Sequence, residues 1–388
     1  MKLKEVSAIF SQLPEELLTQ VGEETGVDHS VSRLRGALIF KLLVFSMLRS
    51  NRLSTRVLEH FYNSELFSAF SGKGGHKTRH SSLASKLSHM NADYFAQLFD
   101  WSSKHFAKAL SGKNNKIYKQ VHRFDRPATR STMCAISSAL VNWGMKVGCP
   151  PKEGPAKVQV KFTVGLPAML PSSLDSFFQQ QYLSEERALR EAIQKAAPQP
   201  EELVVFDLGL KSRKTLQLFD QEGLHFITKG GDNLRYEHVS THRQIKGRSA
   251  DGLKFIQDSK VYLYEDGHRM MEHPFRLVEA EVEESGKRLY FLSNVWELSA
   301  MDIARAYRYR WDIEVFFRFI KQELNVKHLI NRSENGIQIQ LYTSLITAIL
   351  LTVFKINNKI KSFKIAKLKF EEALLLLLMK NQASLKPT

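Results

Sequence analysis

Tyr307, Arg310, Glu314 and Lys321 bring a phenol, a guanidinium, a carboxylate and an amine into one short stretch, SAMDIARAYRYRWDIEVFFRFIKQELNVKHLI over 299–330. At about 100° per residue these four and Arg318 share a stripe about 80° wide on a helix. Ile313, Phe316, Phe317, Ile320 and Leu324 form an adjoining apolar face. One carboxylate therefore stands on a ridge among cations, beside a surface that must be buried. Geometry alone also fits a solvated ladder, since Arg310–Glu314 and Glu314–Arg318 are i,i+4 pairs worth about 0.3–0.5 kcal/mol each. Other candidate chemistry is thin. His76 and His80 lie four apart in a Gly-rich loop with no acid nearby, and Cys134 and Cys149 make neither a disulfide framework nor a Cys-rich metal site.

The spacing decides between the readings. Tyr-x2-Arg-x3-Glu-x6-Lys resembles the signature of the DDE transposases of bacterial insertion sequences, in the branch called insertion-sequence family four. The flanks, FLSNVWELSAMDIARAYRYRW and LNVKHLINRSENGIQIQLY, resemble that family too. The resemblance implies phosphodiester cutting and joining by two divalent cations, Mg²⁺ with Mn²⁺ as a substitute, about 3.5–4 Å apart on three carboxylates. The third carboxylate maps to Glu314 and the second to Asp207, in FDLGL. Arg310 and Lys321 would hold phosphate oxygens, and Tyr307 would bond to backbone or to a displaced nucleotide. The first carboxylate belongs about 24 residues before a second-strand Lys. Counting back from Lys161 reaches Ser137, in Ala-Ile-Ser-Ser-Ala. A hydroxyl neither offsets nor bridges two cations as a carboxylate does. Asp125 and Asp175 are out of register with that strand.

These residues need elements to position them. Ser299 with Asp302 predicts a capped helix start. Residues 1–110 predict an all-helical unit, which the resemblance makes an end-binding domain for DNA. Residues 111–131 predict a basic linker arm with Lys113, Lys116, Lys119, Arg123, Arg126 and Arg130. From 132 the pattern turns to strands: TMCAISSALV and AKVQVKFTVGL as antiparallel neighbours, then YLSEERALREAIQKA, LVVFDLGL, SRKTLQLFDQEG and LHFITKGG as helix, strand, helix, strand. That order predicts an α/β fold with a ribonuclease-H-like catalytic core, residues 132–231 and 297–335. Residues 232–296 predict consecutive antiparallel strands, joined in places by Asp266–Gly267 and Ser285–Gly286, and they separate Asp207 from Glu314 as a β-rich insertion. Residues 336–388 predict C-terminal helices with a basic face at Lys355, Lys359, Lys361, Lys364, Lys367 and Lys369.

The net charge is +16 and the pI about 9.6. Residues 101–150 carry nine Lys or Arg against one acid, and 351–388 carry eight against two, while 251–300 carry six against ten. Two basic blocks predict a polyanion partner. With the resemblance, that partner is double-stranded DNA at transposon terminal inverted repeats, bound by a homodimer. Two cysteines, no signal-peptide pattern and an apolar run (341–354) too short for a bilayer predict a cytoplasmic, nucleoid-associated bacterial protein without a membrane. Three functions compete. One is a transposase with an unorthodox, impaired site. The second is a non-cutting DNA-binding protein of transposase descent, a repressor or domesticated factor. The third, an unrelated ribonuclease-H-like nuclease, does not explain the Tyr307–Lys321 spacing.

Overall fold

In the computed structural model the described residues are 3–111, 129–136, 145–147, 157–166, 170–196, 202–206, 212–245, 247–265, 269–324, 326 and 328–383. The helices that come first are α1 (Leu3–Phe10), α2 (Glu15–Glu24), α3 (Gly36–Arg49), α4 (Thr55–Tyr62), α5 (Glu65–Ser71), α6 (His80–His89) and α7 (Asp93–Ser111). Local chemistry sets their ends. Ser54 and Ser64 accept the Val57 and Phe67 amides at 3.3 and 3.2 Å to cap α4 and α5. Gly72, at φ +70°, ends α5 in a left-handed residue. The α6 N-terminus has no cap of its own. Glu59 of α4 supplies it across space, accepting from the His80 amide at 2.9 Å and meeting Nδ1 at 2.8 Å.

The sheet region follows: β1 (Thr129–Ile136), β2 (Met145–Val147), β3 (Lys157–Gly165), β4 (Ser173–Phe177), α8 (Glu185–Ala196), β5 (Leu203–Phe206), α9 (Arg213–Gln221) and β6 (His225–Lys229). Then come β7 (Tyr236–Thr241), β8 (Ser249–Ala250), β9 (Leu253–Glu265), β10 (Arg269–Met270), β11 (Phe275–Val282) and β12 (Arg288–Ser293), and finally α10 (Ala300–Glu323), α11 (Glu334–Asn357) and α12 (Phe363–Ala383). Antiparallel β1, β2 and β4 flank β3, and β5 pairs with β6 in parallel. β1 and β5 approach within 8 Å without a hydrogen-bonded ladder between them.

Alternation assigns each face. Leu203 and Val205 of β5 pack with Ile227, Val278 and Phe291 against Ala300, Ile303 and Ala304 of α10. Val204 and Phe206 pack with Phe226 and Leu277 under Leu189 and Ile193 of α8 and Leu216 and Phe219 of α9. A mixed sheet is thus covered by helices on both faces.

Several expectations meet corrections here. Leading strand β1 begins at Thr129, three residues early, so Arg130 is not in a linker: it stands opposite Val164 in the β1–β3 ladder. Two further strands, β2 and β4, pair with β3 beside the two antiparallel strands anticipated. The β4 sequence, SLDSF, lacks the β-branched residues that mark a strand, and it is an edge that leans on β3. The strands of 232–296 are antiparallel as expected, but they do not stand apart. β12 pairs with β6, and β11 and β9 follow in the same sheet. The tight turn at Gly286 (φ +66°) joins β11 to β12. Residues 266–268 lie outside the described residues, although Glu265 and Arg269 do pair.

At the C-terminal end, α11 exceeds the apolar run read from the sequence: its 24 residues have the length and hydropathy to cross a membrane, yet 89% of that apolar window is buried inside the protein. It shares one core with α3, α7, α12 and β3, so residues 3–110 and 336–383 form one helical body. Lys367 leaves the expected basic face. It is 4% exposed, and its amine donates to Glu323 O at 2.6 Å and Asn51 Oδ1 at 3.2 Å, closing the C-terminus of α10.

Asp175 stands opposite Thr163 in the β3–β4 ladder. Burial pushes its carboxyl above the ordinary value, Lys195 opposes that, and Glu191 adds to it. A raised folded-state pKa means the contribution to stability is present below the unfolded value and lost as pH rises through the folded one. Asp175→Asn should therefore raise the melting temperature at pH 7, with the gain shrinking away below about pH 3.9, the unperturbed value. Thermal unfolding at both pH values checks it; equal gains at both would contradict the burial argument.

Candidate catalytic helix and its mounting

The signature helix α10 begins as its sequence predicts. Ser299 Oγ accepts the Asp302 amide at 3.1 Å and donates to the Asp302 carboxylate at 2.7 Å. The segment before it is held by a cage of side-chain donors. Arg276 of β11 donates from Nη1 to the carbonyls of Val295 (3.0 Å), Trp296 (3.3 Å) and Leu298 (2.7 Å). Its Nε and Nη2 meet both oxygens of Asp258 on β9 at 2.8 and 2.7 Å. Both side chains are fully buried. His242 Nε2 lies 3.0 Å from Trp296 O, and Arg243 donates to Trp296 O and Glu297 O at 3.2 and 3.0 Å. Four successive carbonyls ahead of the helix thus find donors from the β-rich block.

Along α10 the buried face moves from one partner to the next. Ala300, Ile303 and Ala304 lie on the sheet. The half-buried ring of Tyr307 packs on Phe291 of β12, centroids 5.4 Å apart. Farther on, Phe316, Phe317, Ile320 and Leu324 are buried as expected. Phe317 meets Phe162 of β3 at 6.2 Å, and Phe319 stacks on Phe363 of α12 at 4.5 Å. Glu314 and Lys321 are half-buried beside this apolar face, and the Lys321 amine stands 6.0 Å from the Phe317 ring centroid.

Tyr307 also lines a cavity of about 560 Å³ between the first half of α10 and the β8–β9 and β11–β12 turns. Leu253, Phe255, Leu289 and Phe291 make its floor. On its rim Arg305 pairs with Asp251 at 2.6 Å, and the hydrogen bond from Arg305, with charge from Arg308, holds the Asp251 carboxyl below its usual value.

The structure brings Tyr307, Glu314 and Lys321 onto one helix, with the backbone of Arg310 between them. Asp207, Ser137, Lys113, Lys116, Lys119, Arg123 and Arg126 lie outside the described residues, as does the side chain of Arg310. Among the described residues no three His, Cys, Asp or Glu groups come together to hold a metal ion. Lys161, from which Ser137 was counted, is fully buried, and its amine donates to Leu183 O at 3.0 Å ahead of α8.

Sequence reasoning missed the cage. Its signal was present: Asp258 stands opposite Val278, so Asp258 and Arg276 share the α10 face of the sheet, charges where the period demands apolar residues. It also missed Asn331, after α10. This 8%-exposed amide donates to Ala84 O and Ser88 Oγ of α6 at 2.8 and 2.9 Å. Gly336 leaves room for it, because a Cβ there would stand 2.6 Å from that of Asn331.

Comparison with known proteins bears on the same helix. Residues 181–350 match the family model of the transposase DDE domain. The chain is 30% identical over 135 residues to y4zB, a Sinorhizobium fredii protein named as a transposase, covering 35% of this chain and 37% of that protein. It is 25% identical over 172 residues to a Synechocystis protein named as the transposase of insertion sequence element IS4SA, covering 44% and 46%. The chain thus spans under half the length of these curated relatives. Among solved structures, the piggyBac transposase in a synaptic complex with hairpin DNA aligns with 97% of this chain and 80% of its own, at 13% identity and a TM-score of 0.42.

Removing one partner of a buried ion pair costs about 3–5 kcal/mol, because the other charge is left uncompensated. Arg276→Met should therefore destabilise the protein by about that amount, and adding Asp258→Leu should recover much of the stability. Urea denaturation of the single and double variants measures both. A single-variant cost under about 1 kcal/mol would show that the cage does not hold α10.

Proposed function

We propose, from the match of residues 181–350 to the family model of the transposase DDE domain, that the protein binds the ends of an insertion sequence on a ribonuclease-H-like scaffold and cuts them poorly or not at all. The observation that carries the reading is α10: Tyr307, Glu314 and Lys321 at the signature spacing, on a capped helix packed over β5 and β6. The scaffold assignment is supported by strand order. Three strands of the four-stranded antiparallel sheet, in the order β4–β3–β1, lie beside the parallel pair β5–β6, which has helices on both faces.

The catalytic residues we propose are Asp207 and Glu314. Asp207 directly follows Phe206, the last residue of β5, and we infer that it supplies the second carboxylate. Arg310 and Lys321 would hold phosphate oxygens, and Tyr307 would abut the strand being cut. A divalent cation, Mg²⁺ or Mn²⁺, would supply Lewis acidity to the attacking and leaving oxygens. The donor set fits one such ion and not a bridged pair. Two carboxylates offer oxygen ligands, but the place of the third is taken by the Ser137 hydroxyl, which cannot spread a negative charge over two cations. Impairment at that step would not by itself remove the basic residues proposed below to bind DNA. This favours, as second reading, a protein that occupies the ends without cutting them, as a repressor or domesticated factor would.

The DNA surface we propose runs along Lys113, Lys116, Lys119, Arg123 and Arg126 to Arg130 at the start of β1, and over the exposed Lys359, Lys361, Lys364 and Lys369 near α12. The protein would work in the bacterial cytoplasm, as a homodimer when two terminal inverted repeats are held together.

Strand cleavage separates the two readings. On DNA bearing the element's own ends, the unaltered chain with Mg²⁺ should cut slower by several powers of ten than Ser137→Asp, each 1.36 kcal/mol of lost transition-state stabilisation being about tenfold. Ser138→Asp covers a one-residue slip of register. Efficient cutting by the unaltered chain, abolished in Asp207→Ala, would place the third carboxylate elsewhere and end the impairment reading.

Binding has its own test. Changing Lys116, Lys119 and Arg123 together to Ala should weaken duplex binding and lower the salt slope by about 0.9 for each phosphate no longer neutralised. Unchanged affinity and slope in a filter-binding titration would remove the arm from the DNA surface.

A further inference from the structure

The cavity of about 560 Å³ beside the first half of α10 has the size of a small-molecule site, since such sites run from about 300 to 1,000 Å³. Its floor is apolar and buried: Phe255 and Phe291 are 3 and 2% exposed. Its walls are the half-buried side chains of Leu253, Val282, Leu289 and Met301, with the ring of Tyr307. Small residues keep it open. Ala250 and Ala304 line it from the sheet and from the helix, and a longer side chain at either position would take up its space.

The mouth of the cavity is preformed. Ala250 pairs with Leu253, so Asp251 and Gly252 make a two-residue turn, with φ of +56° and +79°. A turn of that kind matches the twist of the strands it joins and holds its shape. The Glu283 amide donates to Gly252 O at 3.0 Å, which ties this turn to the one between β11 and β12. Three carboxylates stand at the mouth, on Asp251, Glu283 and Glu284, against the guanidiniums of Arg305 and Arg308. Both cations act on Asp251: Arg305 pairs with it at 2.6 Å, and charge from Arg308 helps to hold its carboxyl down. The neighbouring pair Glu283 and Glu284 is exposed. It makes a negative spot on a protein whose net charge is +16.

We propose that this cavity binds a small amphipathic amine, with its apolar body on Leu253, Leu289 and Tyr307 and its ammonium group beside Glu283 and Glu284. The lining selects that class. An apolar body gains by leaving water for these walls, and the face of a tyrosine ring attracts a cation within about 6 Å. A ligand that ended in a carboxylate or phosphate would instead meet two like charges at the mouth. The inference goes beyond DNA binding and cleavage and rests on neither, so it stands or falls apart from them. It still reaches the candidate catalytic helix, because a ring seated in the cavity lies against Tyr307, and Tyr307 packs on Phe291.

The experiment is saturation-transfer NMR on the full chain without DNA or metal. Its probes are tryptamine and indole-3-acetate, which share one ring system and carry opposite charges. Tryptamine should bind saturably, and indole-3-acetate about tenfold more weakly or less well still, because the mouth repels it. Leu289→Trp, which fills the cavity, should abolish tryptamine binding with an unchanged far-ultraviolet circular dichroism spectrum. Glu283→Gln with Glu284→Gln, at exposed positions that leave the core untouched, should weaken tryptamine about fivefold or more and bring the two probes together. That double variant decides the matter if Leu289→Trp does not fold. Absence of saturable tryptamine binding overturns the proposal, as do equal binding of the two probes and normal binding by the double variant. Displacement of tryptamine by a single-stranded oligonucleotide would give the cavity to a nucleic-acid base and overturn the amine assignment.

Discussion

The Arg276–Asp258 pair is the contact on which the geometry of the site depends. A helix is placed by its buried face and by its first turn, and α10 starts from a segment, 295–298, that has no regular structure to hold it. Its four carbonyls would be costly to bury unpaired. Arg276 answers three of them, with His242 and Arg243 sharing the load. A guanidinium can do this because its donors form a rigid planar fork, and a lysine amine cannot reach three acceptors and a bidentate carboxylate at once. Asp258 then makes it possible to bury the cation at all. The β-rich block between Asp207 and Glu314 thereby has a structural duty. Its strands carry the cage to which the candidate catalytic helix is bolted.

This explains why the block continues the sheet of β5 and β6. Had it hung from the core by two flexible connections, its cations could not hold α10 to a fraction of an ångström. Ladders through β12, β11 and β9 make the block one rigid body with β5, whose last described residue precedes Asp207. The same ladder that extends the sheet sets the distance between the strand end and the helix. Sites that need carboxylates from separate elements tolerate little play between them.

Much of this was legible in the sequence, and what was not had physical reasons. The period of 3.6 in 299–324 and the Ser299 cap placed α10 and its buried Phe316 and Phe317 correctly, because local propensity and burial agree there. The strands LVVF, HFIT and RLYFLS carry enough β-branched and aromatic residues to announce themselves. β4 did not, because an edge strand needs only one partner and can be built from Ser and Asp. The cage was invisible for a different reason: Arg276 and Asp258 are 18 apart in the chain, and a charged residue in a strand reads as solvent-facing until the register shows that both point inward. Lys367 misled in the same way. A row of lysines looks like a basic face, yet one of them turns in to close the end of α10.

The helical body adds the last constraint. α11 is buried along most of its length between α7, α6 and α3 on one side and α12 and α1 on others, and Asn331, just before it, is tied to α6. The first and last segments of the chain therefore fold as one unit around α11, although the whole sheet region lies between them in sequence. A DNA-binding surface on the N-terminal helices would then be rigidly joined to α10 through α11 and α12. Packed side chains such as Phe319 and Phe363 make that junction, with no flexible linker in it among the described residues. The described contacts that tie the end of α10 to the helical body, Phe319 on Phe363 and Lys367 on Glu323 O, pass through none of the signature residues Tyr307, Glu314 and Lys321.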